Sequence, residues 1–206
     1  MRAADQRPMN SGRVPLPPHA PGMKIGLFGG SFNPPHAAHR AASLLALKRL
    51  GLDRVWWLVS PGNPLKDTRA LPPLADRITA ARKLAAHPRI AVSDLESEIG
   101  TRYTFDTLRW LASRLPEVHF VWIMGADNLG TFHHWQHWAE IAELMPIAVV
   151  DRPGVTRAGP FLERFAAARL PESSARLLPM REPPAWVYLH GLKSTVSSTA
   201  LRAVRG

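Results

Sequence analysis

The chain of 206 residues predicts an α/β fold, a doubly wound parallel sheet in a single domain. Three observations carry that expectation. Six short apolar runs alternate with stretches of helical period, the pattern of strands joined by crossover helices. The glycine-bearing and polar motifs fall where those runs end or where helices begin, the side of an open α/β sheet that holds ligands. The length suits one sizeable core, with no second hydrophobic unit.

Met1 to Gly22 is rich in Pro, Arg and small residues and shows no period, so residues 1–22 are expected to be a disordered leader and 23–206 the domain. Met23 is a possible true start. The leader lacks the apolar core of a secretory signal, and no run approaches the ~20 residues needed to span a bilayer. A cytoplasmic protein follows.

Ile25 to Phe28 is the first strand. Gly29 and Gly30 follow it, and glycine permits positive φ and a close approach of backbone to ligand. Pro34 and Pro35 suit the approach to a helix, where their missing N–H groups cost nothing. From Ala37 to Leu50 the period is helical, with Leu44, Leu47 and Leu50 on one side. His36 and His39 stand three apart, so a helix starting near His36 puts both rings on one face beside free helix-start amides, an arrangement suited to phosphate.

Val55 to Val59 is the second strand, and Lys66 lies in the segment beyond its end, where it offers a point charge to a phosphate or is an ordinary surface lysine. Leu74 to Ala86 is helical, and Ile90 to Val92 is the third strand. Thr104 reads as the N-cap of a helix running to about Leu115. Val118 to Met124, the fourth strand, delivers Gly125 and Asp127, a backbone approach and a carboxylate for ribose hydroxyls, or a simple helix cap. A helix is expected to hold Phe132 to Trp138. Its His133 and His137 have ligand spacing, but the companion carboxylate of a zinc helix is missing, and no metal site is expected in the protein. Ile147 to Val150 is the fifth strand, with Arg152 beyond it, again placed to neutralise a phosphate. A short helix is expected near Phe161 to Arg169, then a last strand from Trp186 to Leu189. Ser197, Ser198 and Thr199 crowd the start of a final helix, with Arg202 one turn in. One hydroxyl suffices for a cap; the surplus suits a chain of phosphates.

The run Gly-Gly-Ser-Phe-Asn-Pro-Pro-His-x-x-His resembles the signature of nucleotidyltransferases that carry a His-x-x-His pair after the first strand of a Rossmann-like sheet. With Tyr103-Thr104, Gly125-x-Asp127, Trp135 and the tail Val196-Ser197-Ser198-Thr199-x-Leu201-Arg202, the closer likeness is to the bacterial nicotinate mononucleotide adenylyltransferases, over residues 23–206. Ala38 stands where that family usually has Gly, and Leu65 where it commonly has His. The resemblance implies ATP and nicotinate mononucleotide as partners, with Mg²⁺ accompanying ATP. It implies catalytic roles for His36, His39, Lys66 and Arg202. Gly29, Gly30, Ser31, Phe32, Gly125, Asp127, Ser197, Ser198 and Thr199 would bind ATP and its phosphates. Asn33, Tyr103, Thr104, Trp135 and Arg152 would bind the nicotinate nucleotide, with the indole of Trp135 stacked on the pyridine ring. Asn63 also matches the family pattern.

The totals leave room for this and close other routes. With no cysteine, disulfides and thiolate zinc sites are excluded. The net charge of +10 suits anionic ligands, but the arginines are spread rather than clustered, against a nucleic-acid face. Two alternatives stand beside the resemblance: nucleotidyl transfer to another phosphorylated small molecule such as phosphopantetheine, and a non-enzymatic basic protein that binds RNA. The oligomeric state is left open.

Overall fold

The computed structural model describes residues 14–62, 71–151 and 159–191. Seven parallel strands form one sheet in the order β3-β2-β1-β4-β5-β7-β6. They are β1 (Lys24–Gly30), β2 (Arg54–Val59), β3 (Ile90–Ser93), β4 (His119–Gly125), β5 (Ile147–Val150), β6 (Arg169–Leu170) and β7 (Trp186–Leu189). The six expected strands are present, and the two-residue β6 is additional. It is too short for a periodic signal and exists only by pairing with the start of β7.

The helices are α1 (Ala37–Arg49), α2 (Leu74–Ala85), α3 (Leu95–Glu98), α4 (Thr104–Arg114), α5 (Trp138–Leu144) and α6 (Pro160–Arg164). Alternation along the strands divides the core into two layers. Val55, Trp57 and Val59 face the layer that receives α1 and α2, while Trp56 and Leu58 face the layer that receives α3 to α6. Both faces are covered, which is why the strands read as continuous apolar runs.

The helix expected over Phe132 to Trp138 is not continuous. A 3₁₀ turn spans Phe132–His134, Trp135 is extended, and His137 takes φ 55° before α5 begins. The aromatic rings explain the break: Phe132 is fully buried among Trp135, Trp138 and Phe161, a packing that one straight helix face does not offer. Similarly, α6 stops at Arg164, a 3₁₀ turn covers Ala166–Ala168, and Arg169 opens β6.

Residues 14–22, expected within a disordered leader, instead run against the domain. Val14 and Leu16 pack on the core, the His19 ring meets Trp56 edge-on at 6.0 Å, and the Gly22 N–H donates to the Glu117 carbonyl. Two apolar side chains and a ring, spaced along a stretch without regular secondary structure, gave no period to read.

β1 and β4 are neighbours, yet the chain leaves them in opposite directions across the sheet, β1 toward β2 and β4 toward β5. Their carboxyl ends therefore frame the switch point at which such sheets form a crevice.

Candidate active site

Gly29 and Gly30 are the last residues of β1, and neither takes a positive φ; that conformation falls on Phe32, at 45°. The glycines meet a different requirement from the freedom expected of them. A Cβ on Gly29 would collide with the Trp122 ring of β4, so Gly29 is there for space. A Cβ on Gly30 would meet nothing closer than the Phe32 ring at 3.5 Å, ordinary contact. The left-handed Phe32 costs on the order of 1–3 kcal/mol. Its side chain offsets this by burial, stacked on Trp57 at 4.8 Å and 16°, with the His39 ring 4.9 Å away.

The turn carries Ser31 and Asn33 into α1. His36 occupies the N-cap, and its N–H donates to Nδ1 of His39 at 3.1 Å, half of a capping box built from imidazole. The two rings lie 3.8 Å apart. A neutral His39 whose Nδ1 accepts this bond carries its proton on Nε2, which is then a donor. No acid sits in the first turn of α1, so the helix itself brings no carboxylate to the positive end of its dipole. The helix start is fixed from behind: Trp57 Nε1 donates to Ser43 Oγ at 2.7 Å, and Ser43 Oγ donates to the His39 carbonyl at 2.9 Å. Ala38 is 1 % exposed, so its methyl group is already packed against protein.

Across the switch point, Gly125 lies two residues past the Phe28–Ile123 pair, as Gly30 does on β1. The two strand ends are level. Ala126–Asn128 form a 3₁₀ turn that leaves Asp127 exposed at the crevice end of β4.

On the other side of Trp122 lie the residues expected at the pyridine ring. Tyr103, not Thr104, takes the N-cap position of α4 and makes no side-chain cap bond; Thr104 is the first helical residue. The hydroxyl that serves the loop is Thr107, 2.7 Å from that of Thr101. Trp135, half-buried, meets Trp122 edge-on at 6.3 Å. His137, paired with Glu140 at 3.0 Å, places its ring 4.9 Å from Phe105, the residue after Thr104. The Trp135 segment is thus seated against the start of α4. Beside it a groove of about 500 Å³ is lined by Arg102, Tyr103, Asp106, Arg109 and Trp110 among others.

Gly29, Gly30, Ser31, Phe32, Asn33, His36 and His39 thus form one stretch on the α1 side, with Gly125 and Asp127 at the neighbouring strand end. Tyr103, Thr104 and Trp135 stand at the start of α4 and before α5. Asn63, Lys66, Arg152, Ser197, Ser198, Thr199 and Arg202 lie outside the described residues.

Three residues escaped the sequence reading. Trp122 touches both groups, lying under Gly29 and against Trp135. Glu96, in α3, is 7 % exposed; burial raises its carboxyl to about 7, against a smaller opposing pull from a hydrogen bond with Ser60. Arg77 is 3 % exposed within α2. Only Arg77 left a trace to find: it shares the spacing of the buried Ala81 and Ala85, a cation on an apolar stripe.

Comparison with known proteins bears on the family and the fold. A family model described as cytidylyltransferase-like matches residues 27–204. A Bradyrhizobium sp. protein named "Probable nicotinate-nucleotide adenylyltransferase" is 62% identical over 183 residues, 87% of this chain and 95% of its own length. A protein of the same name from Methylorubrum extorquens is 60% identical over 183 residues, 87% of this chain and 99% of its own. The fold is also that of Plasmodium falciparum nicotinic acid mononucleotide adenylyltransferase complexed with APC, with a TM-score of 0.64 at 17% identity over 88% of this chain and 83% of that one. From its first strand to its tail, this chain belongs to the nicotinate-nucleotide adenylyltransferase family, within the cytidylyltransferase-like proteins.

Proposed function

We propose that the chain transfers the adenylyl group of ATP to nicotinate mononucleotide, forming nicotinate adenine dinucleotide and pyrophosphate, a step in making NAD. The observation that carries the reading is the pair of imidazoles with ring centres 3.8 Å apart at the start of α1, directly past the end of β1 at the switch point. The names of relatives sharing 60% and 62% of their aligned residues support this choice of substrates.

A 5′-phosphate oxygen of the mononucleotide attacks the α-phosphorus of ATP in line. As that P–O bond forms, the bond from the α-phosphorus to the bridging oxygen breaks, and pyrophosphate leaves with the electron pair. The nucleophile belongs to the substrate, so the protein has only to position and to neutralise charge. In this reading Nε2–H of His39 and the ring of His36 donate to the phosphates over the α1 amides. Gly30 and Gly125 let backbone come close, and Asp127 takes the ribose hydroxyls. Lys66 and Arg202 stabilise the departing pyrophosphate, while Ser197, Ser198 and Thr199 hold the phosphate chain. Tyr103 and Thr104 present α4 amides to the nicotinate carboxylate, Trp135 stacks on its ring, and Asn33 and Arg152 hold its nucleotide. Mg²⁺ enters with ATP as part of that substrate, coordinated mainly by phosphate oxygens and water. The reaction is one of the cytoplasm, and no helix among the described residues is long and apolar enough to cross a membrane.

The test is pyrophosphate release from ATP with nicotinate mononucleotide, nicotinamide mononucleotide and phosphopantetheine in parallel. Nicotinate mononucleotide is expected to give the highest kcat/KM. Preferred use of phosphopantetheine, or no release with any acceptor, overturns the reading.

A further inference from the structure

Arg77 is a cation sealed into the first turns of α2, with its fork aimed at main chain. Nη1 donates to the Ser31 carbonyl at 2.8 Å and to the Ser60 carbonyl at 2.7 Å. Nη2 donates to the Pro61 carbonyl at 3.1 Å, and Nε to the Pro72 carbonyl at 3.1 Å. Burial pulls its pKa below the usual value, but a guanidinium keeps its charge at any working pH. A sealed cation is costly unless its donors are satisfied, and here four carbonyl dipoles take four of its five N–H groups. Satisfying the donors accounts for the number of acceptors; where in the chain they lie is a separate matter.

These acceptors come from three separate stretches. Ser31 belongs to the turn between β1 and the paired histidines. Ser60 and Pro61 end β2, and Pro72 leads into α2, so the fork grips the chain on both sides of the 63–70 segment that contains Lys66. Ser60 is held a second time, by the hydrogen bond between its side chain and Glu96, and its N–H donates to the Gly30 carbonyl at 2.9 Å. The ends of β1 and β2 are thus locked at one separation, with the planar guanidinium as the wedge. An ammonium cannot reproduce a fork that reaches four acceptors at once.

We propose that Arg77 is a positioning residue for the transfer step, resting on the adenylyl-transfer reading above: it sets the phosphate turn against the end of β2 so that the attacking and leaving oxygens line up. A group that fixes alignment without touching substrate acts on turnover more than on binding, and a misplacement of about 1 Å is worth on the order of a hundredfold.

The experiment compares the parent with R77K and R77A by steady-state pyrophosphate release, by equilibrium binding of a non-hydrolysable ATP analogue, and by thermal unfolding to count folded protein. Both variants are expected to lose at least tenfold in kcat per folded molecule while binding the analogue within threefold of the parent. Added methylguanidine is expected to restore part of the R77A turnover and none of the R77K turnover. An R77K variant with the kcat of the parent overturns the proposal. So does a loss confined to analogue affinity or to the folded fraction. A parent that releases no pyrophosphate overturns the adenylyl-transfer reading and this proposal with it, whereas an active parent beside an unaffected R77K overturns the role of Arg77 alone.

Discussion

His39 combines two duties in one ring. Nδ1 accepts the His36 N–H and so caps α1, which leaves Nε2 as the donor. His39→Ala removes both. Loss of a cap costs about 1 kcal/mol, a small part of the stability of a domain this size. Loss of a donor to the reacting phosphates costs more where it counts, and turnover is expected to fall at least tenfold with the fold retained. Single-turnover adenylyl transfer checks this; near-parental rates would remove His39 from the mechanism. The pairing of His36 with His39 was legible from their spacing alone, because three residues on a helix bring two side chains to one face. The role of Phe32 in holding them was not. A bulky side chain at positive φ is disfavoured locally and persists here only because Trp57, far along the chain, receives its ring.

Among the elements, β1 puts two adjacent glycines to different uses, and substitution separates them. Gly29→Ala drives a methyl into the Trp122 ring, an overpacking expected to cost on the order of 1–3 kcal/mol and to lower the melting temperature. Gly30→Ala adds a methyl in ordinary contact with Phe32 and is expected to leave the melting temperature nearly unchanged. If the Gly30 backbone approaches the nucleotide, the same methyl raises KM for ATP severalfold. Melting curves and ATP titrations of the two variants give opposite rankings under this account, and identical rankings would refute it. The strands and the long helices α1, α2 and α4 were legible because burial imposes a period on them. The Phe132 to Trp138 stretch was not, because its aromatic side chains satisfy a helical spacing while packing in several directions at once. α3 has four residues, too few for any period to show.

For the molecule as a whole, Glu96 couples stability to pH. Burial raises its folded pKa from 4.5 to about 7, against a smaller downward pull from the bond with Ser60. The native state therefore holds this proton more tightly than the unfolded chain. The stabilising contribution is complete below about pH 4.5 and drains away as pH rises through about 7. Its full span is on the order of 3 kcal/mol. Glu96→Gln removes the titration, so it is expected to gain on the parent as pH rises from 5 to 8, measured by denaturant midpoints at the two values; parallel profiles would exclude the effect. One acid among the three of Asp94, Glu96 and Glu98 gave no sequence signal, since which of them is buried is decided by how the four-residue α3 seats on the sheet. The architecture was legible and the burial of Arg77 and Glu96 was largely not, because periodicity reports which faces are dry and says little about which polar groups are sealed among them.

The strand order has one more outcome. The outermost strands, β3 with four residues and β6 with two, are among the shortest in the sheet. An exposed margin that brief presents few unpaired main-chain groups for another polypeptide to zip onto. Copies of this molecule that associate are therefore expected to meet through their helical flanks, with each sheet ending where it does now.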